Sequence, residues 1–498
     1  MKDSDNQSSS PAATSRRNFV KTTAVAGAVL SANTTVARAQ ASTAANSLIN
    51  VALIGCGAQG EKQVESVIGR SPVAGLNFVA VCDIQKTSRD SKAKLIAKYQ
   101  AKNKGGNVTV RDEYGKIAQY EDHMEMLETE GDNIDAVLIA SPDFMHHVQT
   151  RASLEAGKAV YCEKMMSNTL EGCRDMVRAQ RETDGILQIG HQRRSNPRYS
   201  ALRDGLVFGE EAFGRITHAY GQWNRSTTSG KVSVPKKKKL WLSEELLNKY
   251  GFGDPNLTHE QLMYRFKNWR FFRKFGGGVV SDLGAHQIDI FNWMFGTTPT
   301  SVMAAGGVDY FPDSELYDNV MSIYEYDTPK GISRGYYQVL TTTSALGFFE
   351  RFMGDKGTVS ISEIPTTNQA YPEASADWDG LVAKGLLKRN DPEVKFNPWD
   401  IPKTWGSKPK PWLASTKAGQ ADSRATKALG AWELSTELDE MPHTPHLRNF
   451  FDVVRSGKKE DLNCNVQTAF ETAVTILKIY ESAESGQKAM FSPEDFVA

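Results

Sequence analysis

The feature that most constrains this chain is Gly55-Cys56-Gly57-Ala58-Gln59-Gly60, set between an apolar run and a segment of helical spacing. A glycine triplet at these intervals is a weak signal alone, and its context carries it. Residues 49–54 form a β-branched run, helical spacing continues to about Arg70, and a second apolar run over 77–82 ends in Asp83. This is the setting a dinucleotide-binding turn requires. Gly55 permits the tight turn, Gly57 lets the backbone approach a pyrophosphate, and Gly60 allows close helix–strand packing. The helix N-terminus offers free N–H groups and partial positive charge to phosphates. Asp83 can accept both ribose hydroxyls, and its charge opposes a 2′-phosphate. NAD is therefore expected over NADP, although Lys86 and Arg89 stand near enough in sequence to keep NADP open.

The pattern continues with a long polar helix to about Lys104, a strand over 135–140, a helix to about Ala156 and a strand over 159–162. Apolar runs alternating with helical segments predict an α/β fold built on a doubly wound parallel sheet. A chain of 498 residues is long enough for a second domain. Lysine plus arginine balance aspartate plus glutamate at 59 each, so the broad positive field of a nucleic-acid binder is missing. No run of 18 apolar residues occurs, so no membrane insertion is expected. The four lysines at 236–239 read as a solvated loop. Five scattered cysteines without C-x-x-C spacing exclude a disulfide scaffold and a zinc ribbon.

The first residues read as an address. Ser15-Arg16-Arg17-Asn18-Phe19-Val20-Lys21 is a twin-arginine pattern, a short Ala-rich apolar stretch follows, and Ala37-Arg38-Ala39 is a small-x-small cleavage site. Residues 1–39 are expected to be a signal peptide read by the twin-arginine export machinery. The destination is then periplasmic or secreted.

Two clusters close the later strands, Ala140-Ser141-Pro142-Asp143-Phe144-Met145-His146 and Tyr161-Cys162-Glu163-Lys164-Met165. Ligands of open α/β sheets bind beyond the carboxyl ends of the strands, so both face the expected crevice. Farther on, Gly276-Gly277-Gly278 precedes a helix in which Asp282, His286, Asp289 and Trp293 fall at spacings of four, three and four, one helix face. Val279, Leu283, Ile290 and Met294 follow a packed face. The Asp282/His286 pair lacks a clear third ligand, so no metal is expected.

Together these motifs resemble the glucose–fructose oxidoreductase / inositol dehydrogenase / MocA family (Gfo/Idh/MocA). That family has the Gly-rich turn, an A-T-P-N-x-x-H-like segment, an E-K-P motif and a G-G-G-x-x-x-D-x-G-x-H-x-x-D helix. Gly190-His191-Gln192-Arg193-Arg194-Ser195-Asn196-Pro197 is similar to its arginine loop beside the nicotinamide, and His446-Leu447-Arg448-Asn449-Phe450-Phe451 to its C-terminal helix start. The family's proline after the lysine is Met165 here. The resemblance implies a Rossmann domain over 48–165. It also implies an α+β substrate domain with an open, mostly antiparallel sheet over 166–490, often used for homo-oligomer contacts. Residues 371–435 read as a long loop insertion.

The resemblance further implies Lys164 as catalytic lysine, with Asp282 and His286 completing the proton-handling group. Cofactor-binding residues expected on these grounds are Gly55, Cys56, Gly57, Ala58, Gln59, Gly60, Asp83, Ser141, Pro142, His146, Glu163, Lys164 and Arg193. Arg193, Trp223 and Asn224 join Lys164, Asp282 and His286 on the substrate side. The chemistry expected is NAD(P)-dependent oxidation of a sugar or cyclitol hydroxyl, the hydride going to nicotinamide while a base takes the proton. Burial and a cationic nicotinamide would disfavour an ammonium and make a lysine a usable base. The alternative is an NAD-dependent glycoside hydrolase or lyase that oxidises, eliminates and re-reduces without net redox. A non-catalytic dinucleotide sensor is the third reading, opposed by Lys164 with the Asp282/His286 stripe. Export in a folded state predicts a tightly bound cofactor.

Overall fold

The computed structural model describes residues 48–103, 117–226, 233–364, 367–373, 375–390 and 431–498. The chain divides into Met1–Ala39 and Gln40–Ala498. The signal peptide expected over 1–39 lies outside the described residues, as do residues 391–430 of the expected insertion.

Six strands form a parallel sheet: β1 (Ile49–Ile54), β2 (Leu76–Cys82), β3 (Ala118–Tyr120), β4 (Ala136–Ile139), β5 (Ala159–Cys162) and β6 (Leu187–Ile189), in the order β3-β2-β1-β4-β5-β6. Every residue of β2 and of β4 is buried, as expected of strands covered on both faces. The order reverses at β1/β4, the switch point where such sheets take ligands. The expected helix after the glycine turn is two pieces, a helix Ala58–Val64 and a π turn Glu65–Gly69.

The expected domain boundary at 165 is corrected. After β5 the chain forms helix Leu170–Thr183, opened by Thr169 accepting the Gly172 N–H at 3.1 Å, and returns as the sixth parallel strand. The motif at Lys164 ends a strand and not a domain. Helix Thr444–Ser456 also comes back from the far end of the chain, and its Leu447, Phe450 and Phe451 share a core with Val51, Leu53 and Tyr161.

The second sheet has ten strands, β7 (Ile216–Asn224), β8 (Ser301–Gly307), β9 (Asn319–Thr328), β10 (Gly331–Leu340), β11 (Phe348–Gly354), β12 (Gly357–Ile361), β13 (Gln369–Pro372), β14 (Leu387–Asn390), β15 (Ala431–Leu434) and β16 (Ala489–Met490). Their order is β14-β15-β13-β12-β11-β7-β10-β9-β8-β16, antiparallel apart from the β7/β10 pair. Part of the stretch expected as loops is thus sheet, since β13, β14 and β15 pair with one another. Helices Ala285–Phe295 and Val466–Ser485 cover one face, tied by Asn292 to Thr475 at 3.2 Å and by the Tyr324 hydroxyl to the Thr475 carbonyl at 3.0 Å.

Between β7 and that face, a segment carrying helices Glu244–Lys249 and His259–Lys267 reaches back to the first sheet. The Tyr250 hydroxyl lies 3.2 Å from Asp122 Oδ2, and Lys267 donates to Gln85 Oε1 at 2.9 Å. Phe252 and Phe275 stack with centroids 4.5 Å apart, and Phe144 packs edge-on against both. Lys236 to Lys239 are exposed, and all five cysteines are buried free thiols.

A side chain at Gly60 would place its Cβ 2.0 Å from the Gly55 carbonyl oxygen, a backbone atom that cannot swing aside. Gly60→Ala is expected to lose about 1–3 kcal/mol by overpacking, read as a lower urea midpoint at unchanged slope.

Candidate active site

The turn after β1 is open where a phosphate would need it. Gly55 has φ +95°, and a Cβ there would lie 2.5 Å from the Ala140 carbonyl carbon, so the ends of β1 and β4 meet closely. At exposed Gly57 a Cβ would meet nothing within 4 Å. Gly57 caps the helix without a side-chain hydrogen bond, and the first helical bond runs from Glu61 N–H to Gly57 O at 3.0 Å. The N–H groups of Ala58, Gln59 and Gly60 precede that bond and have no helical acceptor.

At the end of β2, Asp83 accepts the Cys56 N–H at 2.8 Å and the Gln85 N–H at 2.7 Å, one on each carboxylate oxygen. Burial pushes this carboxyl up, opposed by those two donors and by the charges of Arg89 and Lys267. Lys86 is paired with Asp90 at 2.7 Å, and the Arg89 guanidinium donates to the Asp83 carbonyl. Open backbone, uncommitted N–H groups and a strand-end carboxylate fit a dinucleotide.

Glu163 links this turn to the chemistry. Its Oε1 accepts from Gln59 at 2.8 Å and from Gln63 at 3.0 Å, and its Oε2 from the Lys164 N–H at 3.3 Å. Gln59 also touches His443 Nε2 at 3.1 Å. Glu163, expected among the cofactor-binding residues, is buried, with one oxygen on the helix that carries the turn and the other on the Lys164 N–H. His146, also expected on the cofactor side, is placed in the wall behind Lys164. Its ring is 1% exposed and wedged between two carbonyls, Met165 O on Nδ1 at 2.6 Å and Ser141 O on Nε2 at 2.8 Å. The path after Lys164, where the Lys164–Met165 peptide is cis, is therefore held by an imidazole. Ser141 Oγ donates to Gln149 at 2.6 Å, and Pro142 precedes helix Asp143–Glu155.

Lys164 reaches across to the second domain, donating to the Asp282 backbone carbonyl, with Asp282 Oδ1 at 3.4 Å. Arg270 Nε lies 3.1 Å from the same Oδ1, and Arg225 4.0 Å from Oδ2. Against its burial, the charges of Arg270, Lys164 and Arg225 hold the Asp282 carboxyl well below the usual range. Asp282 is a fixed anion.

His286 is its opposite. Burial, with the positive fields of Lys164 and Arg193, drives its pKa well below the ordinary imidazole value, so the ring is neutral. Its buried Nδ1 has no hydrogen-bond partner among the described residues, an orphan of the kind that awaits a ligand. The Trp223 ring lies 5.5 Å from His286 and stacks on Phe348 at 4.3 Å.

The expected polar stripe divides. A π turn over Val280–Gly284 precedes helix Ala285–Phe295 and breaks the 3.6-residue period between Asp282 and His286. Asp289 is buried and held by Arg194 at 2.8–2.9 Å and by Thr472 at 2.8 Å, and Trp293 lies under Arg194 and Arg203. Arg193, expected on the cofactor and substrate side, is a buried brace of the aromatic wall. It is 1% exposed, pairs with Glu350 and with Glu363 at 3.2 Å, and lies over Trp223, Phe348 and Tyr199. Asn224 spends its amide on the Ala345 carbonyl at 2.9 Å and on Gln338 at 3.2 Å.

Arg270 escaped the sequence reading, because Trp269-Arg270-Phe271 is an irregular turn without periodicity. Asp143 was visible after Pro142 but read only as the start of a helix. Among the described residues no group of three or more His, Cys, Asp or Glu side chains could hold a metal ion. Among them, too, no helix is long and apolar enough to cross a membrane.

Comparison with known proteins follows the same division of the chain. Residues 49–191 match the Gfo/Idh/MocA oxidoreductase family, NAD-binding Rossmann fold, and residues 247–360 match the GFO/IDH/MocA C-terminal domain. The 1,5-anhydro-D-fructose reductase of Ensifer adhaerens is 27% identical over 222 residues, 44% of this chain and 54% of that protein. The inositol 2-dehydrogenase/D-chiro-inositol 3-dehydrogenase of Shouchella clausii is 29% identical, over 34% of this chain and 44% of its own length. The chain thus spans about half the length of these curated relatives. A levoglucosan dehydrogenase solved with NADH shares the fold at a TM-score of 0.58 and 16% identity, over 89% of this chain and 99% of that one.

Because Arg194 is the main compensation for buried Asp289, Arg194→Met should cost about 3–5 kcal/mol by stranding a carboxylate. Chemical denaturation of variant and parent checks this, a loss under about 1 kcal/mol being the contrary result.

Proposed function

Since the chain belongs to the Gfo/Idh/MocA oxidoreductase family, we propose that it oxidises a hydroxyl of a sugar or cyclitol with NAD. The observation that carries this reading is the meeting of Lys164, at the end of β5, with Asp282 from the second domain. A bound dinucleotide supplies the hydride acceptor. Lys164 is the base that takes the hydroxyl proton, and it stands at the carboxyl edge of the sheet, where a substrate beside the nicotinamide would lie. Asp282 stays ionised between Lys164 and Arg270, so it orients the amine and does not itself carry the proton. Neutral His286, with its unpartnered Nδ1, binds a second hydroxyl and relays the proton outward. Trp223 offers a flat ring for the sugar to lie against.

The twin-arginine pattern supports export to the periplasm with the cofactor already loaded. The segment bearing helices Glu244–Lys249 and His259–Lys267 supports retention, because Lys267 and Tyr250 clasp the adenosine side of the crevice at Gln85 and Asp122. Self-association is supported by Met303 and Ile323, exposed and directly opposed on the uncovered side of β8 and β9.

Lys164→Met should abolish single-turnover hydride transfer in stopped-flow NADH absorbance while changing NAD affinity only a few-fold. His286→Ala should slow turnover by about 10²–10⁴. Unchanged transfer in Lys164→Met would remove the lysine from the mechanism and the proposal with it.

Mature protein purified from periplasm without added dinucleotide should release near-stoichiometric NAD, and not NADP, on denaturation. Protein that arrives empty and binds NAD only weakly would refute retention.

A further inference from the structure

Asp282 is shared by more cations than one carboxylate can neutralise. Lys164 and the Arg270 Nε lie 3.4 and 3.1 Å from its Oδ1, and Arg225 lies 4.0 Å from Oδ2. The side chains of Arg225 and Arg270 are 40% and 42% exposed, so both guanidiniums remain open to a ligand. Among the described residues no hydrogen bond reaches Arg270, and its guanidinium lies flat over the Trp269 ring at 4.2 Å. The neighbouring Arg193 and Arg194 are instead buried and spent on Glu350, Glu363 and Asp289. The Arg225 N–H donates to the Leu340 carbonyl at 2.9 Å, carrying the β7/β10 pairing one residue past Asn224. Strand side chains alternate, so Arg225 shares a sheet face with Trp223, the ring offered to the sugar. Beside Trp223, buried His286 presents an Nδ1 that has no partner among the described residues.

We propose that the substrate is an acidic sugar of the uronate class, its carboxylate held by Arg225 and Arg270 while Lys164 takes the proton of the reacting hydroxyl. This rests on the reading of Lys164 as the base. With the amine neutral, as a base must be, two guanidiniums face the single carboxylate of Asp282, and one positive charge is left over. That matches a carboxylate and not a dianionic phosphate. A planar guanidinium is also shaped to grip a carboxylate through two N–H groups. Because Lys164 and Arg270 touch the same oxygen of Asp282, the amine and the guanidinium are at most two contact lengths apart. The reacting hydroxyl is then one or two carbons from the carbon that bears the carboxylate. In the step itself the carbinol C–H leaves as hydride to NAD, the O–H proton goes to Lys164, and a ketone forms. The carboxylate is unchanged and serves to orient the ring.

The test uses NADH-loaded protein, so that binding is read apart from turnover. D-Glucuronate and D-galacturonate are titrated calorimetrically beside D-glucose and D-galactose. Each uronate should bind about 10–100-fold more tightly than its neutral sugar, the increment of a charge-assisted pair. Arg270→Gln and Arg225→Gln should each shrink that ratio about tenfold and leave neutral-sugar affinity within about twofold, with Arg270→Lys restoring part of it. Equal binding of acid and neutral sugar by the parent protein, no uronate binding at all, or a ratio kept in both variants overturns the proposal. The parent ratio decides the matter should neither variant fold. D-Glucose 6-phosphate bound as tightly as D-glucuronate overturns the assignment of the charge to a carboxylate. Hydride transfer surviving in Lys164→Met would instead overturn the base reading and leave the carboxylate site standing.

Discussion

The grip of Lys164 on Asp282 is the contact on which the rest of the site depends. It joins the end of β5, in the parallel sheet, to the π turn that opens the helix lying on the second sheet. Glu163, one residue earlier, is tied through Gln59 and Gln63 to the helix of the glycine turn. Two successive side chains thus connect the cofactor turn, the proposed base and the substrate domain. A shift of the second domain would pull on the lysine and the turn together, and reacting groups misplaced by about 1 Å lose rate by orders of magnitude.

The second sheet holds its half of the site by burying charge. Arg193 is enclosed by Glu350 and Glu363, and Tyr199 donates to Glu350 at 2.6 Å. Burial pushes Glu350 up to about 7, against the opposing Arg193. The guanidinium lies under Trp223 and Phe348, whose stack supports His286. Removing one partner of such a pair strands the other, so the cluster specifies one arrangement of the aromatic wall more than it adds net stability.

The parts of the molecule governed by local rules were legible in the sequence. β1 and β5 fall where the apolar runs place them, and the glycines meet the demands read from their spacing, with close approach at Gly55 and Gly60 and open backbone at Gly57. What was not legible depends on partners distant in the chain. His146 reads as a cleft residue until Met165 and Ser141 are seen on its two nitrogens, and Asp289 reads as one more member of a polar stripe until Arg194 arrives from 95 positions away. The helical period that aligned Asp282 with His286, Asp289 and Trp293 assumed 3.6 residues per turn, and the π turn invalidates it locally. Arg270 had no pattern to betray it, because its position is set by tertiary packing of an irregular turn.

Asp282 and His286 lie in the same crevice and have been driven to opposite ends of their titration ranges. Three cations surround Asp282 and keep it charged; burial and two of the site's cations keep His286 uncharged. A carboxylate that cannot be protonated and an imidazole that resists protonation are poor primary proton carriers near neutrality, but they make a stable electrostatic frame. Separating paired groups in this way assigns their roles. In the proposed reaction Lys164, which reaches from one domain to the other, takes the substrate proton first, and His286 only passes it outward.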